Sequence, residues 1–200
     1  MRELDKVLDE HEKVLWEGKP KFWPFFLSGF AGVIFGLIFL VVGGIFVFAG
    51  VASGNYWFIL LPHFWIGVAF VFGIPIYKAL VWKHTYYAVT NKRVLVQKGL
   101  IGRDFEMIDF DQITNAEVRV GLLDILFGRH SGSILLSTAG TFTYVRMRQV
   151  QKPYTLSHVE NPYEVFKFFK KVSHAVKTDI QYPNKYRPKT NPGYKTEYGA

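Results

Sequence analysis

The 200-residue chain contains no cysteine. That excludes a disulfide framework, a Cys-ligated zinc site and a thiol nucleophile. A second absence says more: no Asp, Glu, Lys or Arg occurs among the 56 residues from 22 to 77. A water-soluble core of this size does not run so far without a charge, whereas a bilayer asks for about 20 apolar residues per helical crossing. The run is too long for one crossing and suits two with a turn between them. Charge is sparse throughout, at 20 % of residues against 50 % hydrophobic and 18 % aromatic, a balance that also excludes disorder.

The small and polar cluster Ala52-Ser53-Gly54-Asn55 marks the turn. Residues 22–82 are therefore expected to form two transmembrane helices, at 25–51 and 57–81. A cleaved signal is not expected, because the run starts after a mixed-charge lead, is doubled, and exceeds the roughly 7–15 residues of a signal core. Lys19 and Lys21 precede the first helix, Lys78, Lys83, Lys92 and Arg93 follow the second, and the loop between has no cation. That asymmetry predicts a multi-pass protein of the cell membrane with both termini cytoplasmic. Tyr56, Trp57, Trp23, Tyr77 and Trp82 fall where interfacial aromatics belong.

The first helix carries Gly29, Gly32, Gly36, Gly43 and Gly50 in a stripe. Small residues let helix backbones approach closely in lipid. The expectation is packing of this stripe on the second helix, with a homo-oligomer seam as its alternative use. His63 is the one histidine within the run and is expected close to the outer interface.

Residues 1–21 hold five cations and six anions, and Leu4, Val7, Leu8, His11, Val14 and Leu15 recur at three- to four-residue steps, a weak amphipathic-helix signal. They are read as a cytoplasmic N-terminal segment. Residues 179–200, rich in Pro and Lys, are read as a flexible basic tail near anionic lipid.

Residues 83–178 alternate like an all-β unit. Segments 86–90, 94–97, 105–109, 113–120, 133–138, 142–150 and 154–159 read as seven short strands, a sandwich or barrel. Asn161, Pro162 and Glu164 open a closing helix whose apolar stripe is Val165, Phe169, Val172 and Val176.

The run at 87–99, Tyr-Ala-Val-Thr-Asn-Lys-Arg-Val-Leu-Val-Gln-Lys-Gly, resembles the opening hairpin of bacterial pleckstrin-homology-like (PH-like) domains in small membrane proteins. Asp111-Gln112-Ile113, Glu117-Val118, Gly128 and the helix start Asn161-Pro162-Tyr163-Glu164-Val165 follow the same pattern in order, as does the lead-in from Glu12 to Pro20. The resemblance implies two transmembrane helices followed by a seven-strand PH-like barrel capped by a C-terminal helix. It implies fold more than function.

Between 78 and 178 stand fifteen Lys and Arg against eight Asp and Glu. A basic domain at a cytoplasmic leaflet is drawn to anionic headgroups, and Lys92, Arg93, Lys98, Arg103 and Arg129 are the candidate lipid- or anion-binding residues. The loop that some PH domains use for phosphoinositides is here only about two residues long, which argues against specific recognition. No stacking-platform motif accompanies the charge, so no nucleic-acid partner is expected. There is no nucleophile elbow, phosphate loop, dinucleotide fingerprint or metal-spaced histidine pair. Asp109 and Asp111 would share a strand face and are read as solvated. The chain is expected to be non-enzymatic, without cofactor or metal. Its expected role is docking or scaffolding of a protein partner, with anionic-lipid sensing or an accessory role in a membrane complex or transport system as alternatives.

Overall fold

The computed structural model describes residues 3–101, 104–128, 130–139, 142–145, 148–151 and 153–181. It divides into two compact units: Phe22–Lys83, and Met1–Lys21 together with His84–Ala200.

The second unit is discontinuous in sequence. Strand β1 (Val14–Gly18) lies before the apolar segment and β2 (Tyr86–Thr90) after it, yet they pair antiparallel, with Trp16 opposite Val89 and Gly18 opposite Tyr87. The apolar helices are thus an insertion into the connection between two neighbouring strands. This corrects the reading of 1–21 as an amphipathic helix. The segment forms a 3₁₀ turn at Leu4–Lys6 and then a strand, because sheet pairing outweighs a weak local periodicity. Leu4 and Leu8 pack on Ala88 and Leu95, covering the outer face of the sheet. β2 and β3 (Arg93–Lys98) are consequently buried on both faces, which is why Val94-Leu95-Val96 reads as an unbroken apolar run.

The first sheet has the order β1-β2-β3-β4, with β4 at Asp104–Asp109. The β3–β4 turn needs Gly99, whose φ of 103° disfavours a side chain. A second sheet has the order β5-β6-β9, formed by Ile113–Arg119, Ser131–Thr138 and Tyr154–Glu160. β7 (Phe142–Val145) and β8 (Arg148–Gln151) make a separate hairpin. The described residues therefore hold nine strands in place of the expected seven. One extra strand precedes the apolar insertion, and 142–150 is two strands rather than one. The sheets do not close into a barrel among the described residues.

Tyr87, Val94, Val96, Ile108, Phe110, Ile134, Leu136 and Leu156 form the core. The helix at Pro162–Gln181 covers it with Val165, Phe168, Phe169, Val172 and Val176. Residues 182–200, the greater part of the expected tail, lie outside the described residues.

The first unit comprises α1 (Phe22–Leu27), α2 (Phe30–Ala52), a 3₁₀ turn at Tyr56–Leu60, α3 (Pro62–Val68), a π turn at Ala69–Gly73 and α4 (Ile74–His84). Two helical runs, Phe30–Ala52 and Pro62–His84, are long and apolar enough to cross a membrane. The first starts later than 25 because the chain breaks at Ser28-Gly29. The second starts at Pro62, whose ring suits the first helical position. The π turn ends two residues before Pro75, which has no amide to offer the carbonyl of Val71. In the second unit α5 (Leu122–Phe127) joins β5 to β6, and the closing helix Pro162–Gln181 is α6.

Candidate interaction surfaces

The two ends of the first sheet differ in chemistry. At one end the β2–β3 turn carries Asn91, Lys92 and Arg93. Arg93 lies against Glu12 in a forked pair, with Nε donating to Oε1 at 3.1 Å and Nη2 to Oε2 at 2.8 Å. The Thr90 hydroxyl donates to the same carboxylate at 2.7 Å, and the Asp9 amide at 2.9 Å. Burial alone would raise the Glu12 carboxyl, but the hydrogen bonds from Arg93, Asp9 and Thr90 outweigh it and hold Glu12 below the usual carboxylate range. Asp9 adds ion pairs to Arg93 at 3.1 Å and to Lys92 at 3.5 Å. Asn91 and Lys13 exchange two further bonds, each near 3 Å. The turn cations thus fasten the N-terminal segment to the sheet. Sequence reasoning missed Asp9 and Glu12 because the Glu12–Arg93 pair spans 81 positions; the only available signal was the density of acids before the apolar run.

Lys98 stands at the opposite end of β3, paired with Glu106 at 2.5 Å. The structure therefore does not gather Lys92, Arg93 and Lys98 at one place. Arg103 and Arg129 lie outside the described residues.

At the Lys98 end the chain departs for the apolar helices. Gly18 closes β1 beside Tyr87 at the start of β2, and Tyr86 faces Gln97 near the end of β3. The β3–β4 turn at this end exposes Leu100 and Ile101, the latter 73 % accessible. The second sheet reaches the same end, since the Lys21 amide donates to the His158 carbonyl at 2.8 Å and its ammonium meets Glu160 at 2.7 Å. His158 Nδ1 lies 2.7 Å from Asp124 Oδ1, which also accepts the Ser131 hydroxyl at 2.6 Å. Asp124 Oδ2 accepts the Gly121 amide at 3.1 Å. These bonds overcome the upward push of burial and lower the Asp124 pKa.

The trio is not a nucleophile relay. Ser131 and His158 both address the carboxylate, whereas a relay needs the hydroxyl on the imidazole. Its evident work is to hold α5 on the sheet with Leu122, Ile125 and Leu126 turned outward, each at least 62 % exposed. Beside α5 lies a cleft of about 630 Å³ lined by Val120, Ile125, His130, Pro162 and Tyr163 among others. Asp109 and Asp111 do not share a strand as expected: Asp109 ends β4 and Asp111 sits in the following 3₁₀ turn, both exposed. No cluster of three or more metal-ligating side chains occurs among the described residues.

Within the apolar unit the structure places the glycine stripe against the second helical run. A Cβ on Gly43 would stand 2.7 Å from the Phe64 backbone nitrogen, and one on Gly36 would strike the Cβ of Phe70. Gly29 and Gly32 both face Ile74, and Gly67 answers from the other side against Leu40. His63 is exposed, with its ring stacked on Phe39 at 5.7 Å.

The model of the bacterial PH domain family matches residues 26–160. This chain belongs to that family. The match runs from the apolar hairpin to the end of β9, leaving β1 and α6, which complete the domain, outside it. No curated protein and no solved structure matches the chain.

Proposed function

We propose that this bacterial PH domain protein is anchored in the cell membrane by its helical hairpin and presents a non-enzymatic module that docks a protein partner at the cytoplasmic face. The pairing of β1 with β2 carries the anchoring reading. A strand made before the hairpin joins one made after it, so both hairpin ends must lie on the same side, as two crossings require. The Lys and Arg flanks support the cytoplasm as that side. Large side chains turned outward, such as Phe48 at 76 % and Trp57 at 79 % exposure, suit lipid as the surrounding medium.

Open strand edges support docking. β4 and β5 follow one another in the chain, and among the described residues each has a strand neighbour on one side only. Such an edge accepts an added strand through main-chain hydrogen bonds. Anionic-lipid sensing through the β2–β3 turn has less support, because Arg93 and Lys92 already face Glu12 and Asp9.

The experiment is photo-crosslinking in native membranes from Thr114, exposed on β5. Docking predicts one discrete heteromeric adduct, lost when the crosslinker moves to Lys6 on the far segment. Self-adducts alone, or none, defeat docking. Extraction of the full chain by alkaline wash defeats anchoring.

A further inference from the structure

We infer that the end of the PH-like unit carrying the β3–β4 turn and α5 inserts its apolar side chains into the lipid interface. This rests on the anchoring reading and adds a second, peripheral lipid contact to it.

Two exposed apolar groups converge on this end, each beside one connection to the hairpin. The first is Leu100 and Ile101. Tyr86 faces Gln97 across β2 and β3, and only Thr85 separates β2 from the last residue of α4. Neighbouring strands lie about 4.8 Å apart, so the turn that follows Lys98 stands next to the point where the chain leaves α4. The second is Leu122, Ile125, Leu126 and Phe127 on α5. Asp124 binds His158, and the His158 carbonyl binds the Lys21 amide, one residue before α1 begins. Neither connection has the length to carry its apolar group far from the headgroups, at no more than about 3.5 Å per residue.

The composition of the two groups agrees with lipid as the occupant. Leu, Ile and Phe on a short helix and a turn tip bind interfaces in proportion to the apolar area they bury. Lys19, Lys21 and Lys98 stand at the same end of the unit, but Lys21 meets Glu160, Lys98 meets Glu106 and Lys19 lies over the Tyr86 ring, so apolar area and not charge carries the contact. The opposite end shows the contrast: around the β2–β3 turn stand Asn91, Lys92, Arg93, Asp109 and Asp111, with no comparable apolar group among its described residues. The buried Asp124 thereby gains a reason: it fixes α5 with its apolar face outward, an orientation that folding in water alone would not favour.

The absence of native cysteine makes the test direct. Single cysteines at Ile101, Leu126, Asn91 and Ile38 of the full chain are labelled with an environment-sensitive fluorophore and reconstituted in vesicles of phosphatidylcholine and phosphatidylglycerol. The expected result is quenching of the labels at 101 and 126 by nitroxide-bearing lipid with loss of quenching by aqueous iodide, and the reverse at 91. Iodide quenching at 101 and 126 equal to that at 91, with Ile38 still lipid-accessible, overturns this inference and leaves anchoring intact. Shielding of 126 from both quenchers overturns it too, by assigning that face to a protein such as a second copy. Aqueous exposure of Ile38 removes the anchoring reading itself.

Discussion

The two units solve the packing problem in opposite ways. In the PH-like unit, the β3–β4 turn and α5 apart, the large apolar side chains are mostly inside, with Tyr87, Leu95 and Phe110 at 0–1 % exposure. In the hairpin they are outside, and the buried positions of its helices include Gly36, Gly43, Gly50 and Gly67. Water drives the first arrangement, because apolar area removed from it stabilises in proportion. In the bilayer that the proposed anchoring supplies, a medium as apolar as the side chains offers no such drive, so helices associate through close backbone approach instead. The same residue type therefore has a different energetic meaning on either side of Phe22 and Lys83.

The largest test exchanges one residue type across that divide. Phe110 is fully buried and its ring lies 5.7 Å from that of Phe169. Phe110→Ala should cost about 3–5 kcal/mol, read as lost hydrogen-exchange protection of the β2 and β3 amides in the detergent-solubilised chain. Phe48→Ala, at a position 76 % exposed in the hairpin, should cost under about 0.5 kcal/mol. Equal losses would erase the contrast between the units.

Next in size is the fastening of the N-terminal segment. Glu12→Ala leaves Arg93, whose side chain is only 15 % exposed, without its forked partner. The expected loss is about 2–3 kcal/mol, below that of a fully buried pair because Arg93 still reaches water. Exchange should quicken first in β1, the strand this segment delivers to the sheet edge. A uniform loss across the sheet would place Glu12 in the general core instead.

Much of this division was readable from residue order alone. The 56 uncharged residues, the turn near Ser53, the β2–β3 hairpin and the stripe of α6 each rest on local pattern, and local pattern is what a sequence displays. The discontinuity of the domain was not readable. Val14–Gly18 is five residues long, and its partner at Tyr86–Thr90 lies beyond the whole hairpin. Strand pairing leaves no mark at such a distance. The same separation concealed the Glu12–Arg93 pair, so the cations of 92–93 looked like a lipid site when viewed without their acids. The apolar character of α5 is visible as Leu-Leu-Asp-Ile-Leu-Phe, but nothing local tells an inward face from an outward one.

A third, smaller effect examines the hairpin's own logic. A Cβ on Gly67 would stand 2.4 Å from the Leu40 backbone nitrogen and 2.6 Å from its Cα, whereas one on Gly73 meets nothing within 4 Å. Backbone atoms cannot step aside as a side chain end can, so Gly67→Leu should part the helices at a cost of about 1–3 kcal/mol. Spin labels at Val42 and Trp65, both exposed, should report a longer separation in Gly67→Leu and an unchanged one in Gly73→Leu. An unchanged distance in both would mean that the glycine stripe does not set the spacing.

The smallest effect is the response to acid, and it separates the units most cleanly. Glu12 and Asp124 both have folded-state pKa values below their ordinary 4.5 and 3.8, with hydrogen bonds to the ionised form outweighing the opposing effect of burial. A depressed carboxyl stabilises the fold when ionised, so its contribution is complete above the ordinary value and is lost as pH falls through the folded one. The PH-like unit should hold constant exchange protection from neutral pH down to about 4.5 and lose it below. Asp124→Asn should cost about 1 kcal/mol at neutral pH, by weakening the bonds from Ser131 and His158, and should make the acid loss shallower. The hairpin has no carboxylate between residues 22 and 77, so the Val42–Trp65 distance should not change through the same titration. A distance that moved together with β-sheet protection would show that the sheet holds the helices together, and the two packing solutions would then be one.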